Sequence, residues 1–222
     1  MTISKWALFA AGLGLFACAA PAWASDETRL IDKATRVAEH MKSDPAFGAA
    51  QNMLRKARAV LIVPALVKGG FIFGAEGGDG VLLKRLGPHR WSSPAFYTLG
   101  SASFGLQIGL EKAEIVMLIM SDRALKGIQH DNFKIGAGAG ITAVTLSSGA
   151  EGATSGHGGD IVVWTSATGA YGGLTFNGSV IKPRHQWNAD YYGQRAPVGA
   201  ILSSAVRNPA SRPLQDELSS MD

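Results

Sequence analysis

Between residues 26 and 43 the apolar side chains Leu30, Ile31, Ala34, Val37, Ala38 and Met41 recur at spacings of three and four, with Arg29, Lys33, Arg36 and Glu39 between them. That period predicts an amphipathic helix with one buried stripe. Asp44 and Pro45 then supply an N-cap and a first helical residue, and a second helix is expected to run to about Arg58. Beyond it the texture changes: residues 59–63 are an unbroken apolar run closed by Pro64, and Phe71-Ile72-Phe73 and Val81-Leu82-Leu83 follow between glycines. Short strands joined by glycine turns fit this pattern, and it continues through 95–110, 114–120, 133–146, 160–166 and 170–181. One helix is expected to interrupt the strands, at 122–129, capped by Ser121 and followed by the polar turn His130-Asp131-Asn132. Asn208-Pro209 and Arg212-Pro213 favour helix starts, so 197–222 reads as one or two short helices or a frayed tail.

The 28 glycines are scattered, with no fixed period of about 20 to 50 residues that would signal a solenoid. A bulged, curved sheet explains them better. The expected fold is therefore α+β: a curved, mainly antiparallel sheet or incomplete barrel, covered by N-terminal helices and closed by short C-terminal helices. A parallel sheet is disfavoured because no helices alternate with the strands.

Composition changes the picture mainly at the start. Lys5, an apolar stretch over 6–17, Pro21 and the small-residue pattern Ala22-Trp23-Ala24 describe a cleavable export signal. The apolar stretch falls short of the roughly 20 residues that span a bilayer. The expected organisation is a signal over 1–24 and a single domain over 25–222, with its core over about 30–202 and a helical segment or tail over 203–222. Removing 1–24 takes away Lys5 as the one charged residue, and the net charge drops from +4 to +3. Such a mild excess points away from nucleic acid. The only cysteine, Cys18, lies inside the signal, so the processed chain has no thiol for disulfide, zinc or nucleophilic work. Leu15-Phe16-Ala17-Cys18 is also similar to a lipobox, apart from the bulky Phe16, so Cys18 is either removed with the signal or lipidated. The first route gives an exported, periplasmic protein, the second one anchored to the outer membrane.

Candidate chemistry is sparse. Gly136-x-Gly138-x-Gly140 lacks the third spacing of a dinucleotide fingerprint, and the run from Gly74 to Gly80 lacks the Lys-Ser/Thr end of a phosphate loop. Bulges or turns are the simpler reading, and no nucleotide or other cofactor is expected. Of the five histidines, His157 with Asp160 comes nearest to metal spacing, in a glycine-rich loop where a plain turn is commoner. The serines of Gly100-Ser101-Ala102-Ser103-Phe104-Gly105 miss the spacing of a nucleophile elbow, and no two carboxylates form an arrangement the sequence can justify as an acid/base pair. A non-enzymatic role is expected, with no metal.

The best functional candidate is the basic cluster Arg55, Lys56 and Arg58, with Lys68 close behind and Lys42 and Arg36 extending it if the first two helices lie together. Cations near an anionic lipid surface contribute about 1 kcal/mol each. The alternative is helix-end chemistry, in which the same charges complement a C-terminal dipole. The apolar stripe of the first helix has two uses as well, entering a membrane interface or covering a sheet, and its small residues and mixed charge favour the sheet.

Several long phrases then become familiar: 58–64 running into Lys68-Gly69-Gly70-Phe71-Ile72-Phe73-Gly74, then Gly77-Gly78-Asp79-Gly80-Val81-Leu82, Trp91-Ser92-Ser93-Pro94-Ala95-Phe96-Tyr97, 100–109, 116–120, and 178–181 with Asn188 and Tyr191-Tyr192 beyond. Together, over about 30–202, they resemble the SYLF family, also called the lipid-binding or yeast actin-patch-type actin-binding domain. The chain departs from the family pattern at Thr145-Leu146-Ser147-Ser148-Gly149 and carries no Src-homology module. The resemblance implies a membrane-binding domain; eukaryotic relatives engage phosphoinositides and some bind actin. An exported bacterial member would meet neither, so what carries over is recognition of anionic phospholipid or the envelope membrane surface. The alternative is an envelope scaffold that binds a protein partner or itself.

Overall fold

A computed structural model describes residues 24–43, 48–69, 73–104, 111–135, 143–147, 159–167 and 178–222. The expected signal, including Cys18, lies outside them except for Ala24, as do Gly136 to Gly140 and His157. In chain order the elements are α1 (Asp26–Ser43), α2 (Gly48–Leu54), β1 (Ala59–Gly69), β2 (Phe73–Gly87), β3 (Arg90–Trp91), β4 (Ala95–Phe104), β5 (Glu111–Ile119), α3 (Asp122–Gln129), β6 (Phe133–Lys134), β7 (Ala143–Ser147), β8 (Ile161–Ala167), β9 (Val180–Pro183), α4 (His185–Tyr192), α5 (Val198–Leu202) and α6 (Arg212–Ser220). A short 3-10 turn, Pro209–Ser211, leads into α6.

The strands form one curled, half-barrel sheet in the order β6-β9-β4-β2-β1-β5-β8-β7, with β3 added to β2. Its pairings are antiparallel except β7 with β8, which is parallel. The expected α+β fold is thus what the chain adopts.

Helices cover both faces, and this explains the unbroken apolar runs. Ala59, Leu61 and Val63 of β1 face the layer containing α3 and α5, together with Ile115, Met117 and Ile119 of β5. Val60 and Ile62 face the opposite layer with Val116, Leu118 and Trp164, against α1, α4 and α6. A strand buried on both sides has no polar face to alternate with. The stripe of α1 is spent here: Ile31, Ala34, Val37, Ala38 and Met41 are buried against the sheet and α6. Trp91, Phe96 and Tyr97 are core residues as well; the side chain of Phe104 lies outside the described residues.

Pro64 has no N–H for a ladder, yet sits in a central strand. A bulge accommodates it. Ile62 to Val67 of β1 spans one residue more than Val81 to Gly77 of β2, and Val63 to Leu66 one more than Ile115 to Ala113 of β5. The glycine phrase of β2 lies against this bulge: a Cβ on Gly80 would sit 2.6 Å from the Ile62 carbonyl oxygen, and one on Gly78 would meet that of Ala65. These glycines permit close backbone approach, as the bulge reading requires.

Two expectations need correction, and one helix comes in addition to those expected. The segment 133–146 is not one strand: Phe133 and Lys134 pair with β9 at one edge of the sheet, whereas 143–147 pair with β8 at the other. The second helix stops at Leu54 instead of Arg58, because the Arg85 side chain takes the Leu54 and Ala57 carbonyls and the Arg58 N–H already joins the sheet through Ile119 O at 2.7 Å. Helix α4 was not anticipated. It has no side-chain N-cap, although Gly193, at φ 64, ends it in the left-handed conformation usual for glycine there. Helix α3 forms where expected, with Ser121 Oγ accepting from Ala124 N at 3.1 Å. The segment after Pro197 is helical and tied down by buried Leu214 and Leu218.

Candidate functional site

The turn between α2 and β1 carries Arg55, Lys56 and Arg58, all exposed. Arg55 donates to Asn52 Oδ1 at 3.3 Å, and Arg58 lies 3.4 Å from Asp122 Oδ1 with both side chains more than half exposed. An ion pair so solvated restrains little. Lys42, at the end of α1, reaches Glu217 at 3.2 Å and Ser220 at 3.0 Å on α6. Arg36 is exposed on α1, with Asp32 and Glu39 one turn to either side.

Lys68 does not join them. Its backbone lies ten residues along β1 from Arg58, opposite Glu76 and Glu111, which puts it roughly 30 Å away at the rise of an extended strand. Its side chain lies outside the described residues. Closeness in sequence becomes distance when the intervening chain is extended.

Arg85 of β2 fixes the turn. Its Nε donates to Ala57 O at 2.9 Å, a second nitrogen donates to Leu54 O, and Nη1 pairs with the buried carboxylate of Asp222. The guanidinium also lies 4.3 Å from the Trp91 ring centroid. Asp222 in turn accepts from the His89 backbone N–H at 3.1 Å. One side chain thus joins the end of α2, the β2–β3 hairpin and the segment after α6.

The same end of the sheet bears two hollows that share His89. Arg55, Arg85 and Asp222 border one of about 320 Å³. The other, a cleft of about 300 Å³ between the β2–β3 hairpin and the segment from Ser204 into α6, is lined by Arg90, Arg207 and Arg212, with Asp216 opposing them. Among the described residues no carboxylate lies within 4.0 Å of Arg55, Lys56, Arg90, Arg207 or Arg212. Sequence reading missed Arg90, Arg207 and Arg212 because two of them lie in the last segment and the third follows a hairpin turn. The Gly87-Pro88 turn signal ahead of His89-Arg90 is the one local cue.

Other groups are occupied structurally. The Tyr97 hydroxyl donates to Ile128 O at 3.1 Å and that of Tyr192 to Pro94 O at 2.7 Å. Burial pushes both phenols well above their usual range, and Tyr191 is pushed up to about 12, mainly by burial. Neutral, enclosed phenols serve packing rather than acid/base work. Asp160, considered with His157 for metal, pairs with Arg123 at 2.8 Å, and among the described residues no group of three or more His, Cys, Asp or Glu is arranged to hold a metal. A hollow of about 790 Å³ by α3, α4 and α5 contains His185 Nε2 at 3.0 Å from Asp131 Oδ1, but among the described residues its lining includes no Ser, Thr, Cys or Tyr to act as nucleophile. No helix among the described residues is long and apolar enough to cross a membrane. What the basic end offers chemically is anion binding.

Comparison with known proteins gives the family. The chain is 28% identical over 186 residues to LAS seventeen-binding protein 3 of Saccharomyces cerevisiae, covering 80% of this chain and 40% of that protein. It is 29% identical over 197 residues to Protein YSC84 of the same yeast, covering 85% and 42%, and 27% identical over 161 residues to SH3 domain-containing YSC84-like protein 1 of Mus musculus, covering 72% and 47%. The chain therefore spans less than half the length of each of these relatives. With residues 100–221 matched by the family model Ysc84, described as Las17-binding protein actin regulator, the chain belongs to the Ysc84 (SYLF) family.

Proposed function

We propose that this chain is a non-enzymatic, exported protein of the bacterial envelope that binds anionic membrane surface reversibly through its basic end. The observation that carries the reading is the exposed turn Arg55-Lys56-Arg58 beside Arg90, Arg207 and Arg212, most of them without a carboxylate partner among the described residues. Each such cation contributes about 1 kcal/mol near an anionic surface, and the attraction fades within a Debye length. Because the apolar face of α1 is buried in the core, attraction by charge, without insertion of α1, is the mode this surface supports. Lys42, at the end of α1, reaches Glu217 and Ser220 of α6, and Lys68 lies ten residues down β1 from Arg58.

The test is sedimentation of the purified protein with phosphatidylcholine vesicles and with vesicles containing phosphatidylglycerol, over a salt series. Binding is expected to the anionic vesicles alone, to weaken as salt rises, and to be lost in the triple variant R55E/K56E/R58E. Equal binding by that variant, or none by the wild type, would overturn the reading.

A second reading has one observation in its favour, the word "binding" in the yeast relative's name: a scaffold that engages a protein partner or itself. Mass measured against concentration separates the self-associating form, which a strict monomer excludes.

A further inference from the structure

We infer that the cleft between the β2–β3 hairpin and the segment from Ser204 into α6 is a binding site for a phosphate monoester, held by Arg90, Arg207 and Arg212. The inference rests on the reading of the basic end as anion-binding and narrows it from a charged surface to a built site with a ligand class.

The walls come from separate parts of the chain and are pinned to one another. Gln215 of α6 donates to Trp91 O at 3.2 Å and Ser92 O at 2.9 Å. Ser93 Oγ donates to Val206 O at 2.8 Å, and Ser204 Oγ accepts from Ser93 N at 3.0 Å. Arg207 Nε donates to Ser204 O at 3.2 Å, which orients its guanidinium while leaving the terminal nitrogens free for a ligand. The backbone is strained where it turns into the cleft: His89 at φ 50 and Ser204 at φ 58 are two of the three non-glycine residues with positive φ among the described residues. Such conformations persist only where the surroundings over-determine them.

Charge and donors select the ligand. Arg90, Arg207 and Arg212 oppose one lining carboxylate, Asp216, so the cleft holds a net positive charge that a dianion matches better than a monoanion. Guanidinium groups bind phosphate oxygens through paired N–H donors, with a geometric fit that point charges lack. The volume of about 300 Å³ lies at the small end of ligand sites. It suits a phosphate with a few attached atoms. The two sources of such a group are a soluble phosphate ester and the headgroup of a monoester lipid such as phosphatidic acid.

Calorimetric titration of the purified protein with inorganic phosphate is the direct test. Saturable binding is expected, weakened about tenfold or more by each of R90Q, R207Q and R212Q. D216N, which removes the opposing charge, is expected to tighten binding, a gain that a poorly folded variant cannot give. A flat wild-type titration, or affinities unchanged across these variants, would overturn the site. Vesicles containing phosphatidic acid or phosphatidylglycerol then separate the sources: preference for the former, competed by phosphate, assigns the lipid headgroup, and equal binding beside saturable phosphate binding assigns the soluble ester. A flat phosphate titration with salt-sensitive vesicle binding intact sinks the cleft alone; phosphate binding without vesicle binding sinks the membrane reading alone.

Discussion

Asn188 carries more than its size suggests. Fully buried, it accepts from Phe96 N at 2.8 Å through Oδ1 and donates to Phe96 O at 3.3 Å through Nδ2, so its side-chain amide satisfies β4 beyond the end of β9 as a further strand would. Asn188→Ala strands a buried N–H and is expected to cost about 1–3 kcal/mol, read as a lower urea midpoint with an unchanged slope. The phenol of Tyr191 gives a prediction in pH. Burial raises its folded pKa to about 12 from 10.0, so the folded state holds the proton more tightly than the unfolded chain. That stabilisation is whole below pH 10.0 and declines as pH rises through about 12. Thermal midpoints are expected to fall over this window, with tyrosinate absorbance lagging behind that of the unfolded protein. A folded protein ionising all its phenols at the unfolded midpoint would contradict this.

At the scale of elements, the bulge in β1 and the glycines of β2 form one device. Pro64 forces the extra residue, and Gly78 and Gly80 admit the displaced backbone. Gly80→Ala is expected to cost about 1–3 kcal/mol, since its Cβ would meet a carbonyl that has nowhere to go. Gly87→Ala, with open space at its Cβ position, is the matched control and is expected to change stability little. Helix α1 was legible as a helix from its spacing, and its small apolar residues and mixed charge favoured a place in the core over a membrane interface. Helix α4 was not, because its hold on the sheet depends on Asn188 and Tyr191 meeting Phe96, contacts that no local period announces.

The molecule as a whole is closed by Arg85, which joins α2, the hairpin and Asp222. Its side chain is 16% exposed and that of Asp222 4%, so Arg85→Ala would leave a buried carboxylate alone and is expected to cost about 3 kcal/mol or more. The same change frees the α2–β1 turn that presents Arg55 and Lys56, and vesicle binding by the remaining folded protein is expected to weaken with it. The Asp222 oxygen Oδ1 already lacks a partner among the described residues, so the pair has no spare hydrogen bonds to compensate.

Neighbours along the chain are enough to set the stripe of α1, the Ser121 cap of α3, the apolar runs that became strands, the glycine phrases that resemble the family, and the basic triplet before β1. Each is a local signal, set by periodicity or turn chemistry. Tertiary structure decided which strands meet, placing 133–134 and 143–147 at opposite edges of one sheet, and which charges meet, sending Lys68 down a strand from Arg58 while bringing Arg90 to Arg207 and Arg212. The reason is physical: an extended strand separates sequence neighbours by about 3.3 Å per residue, whereas a hairpin packed against a returning helix brings together segments that no window along the chain contains.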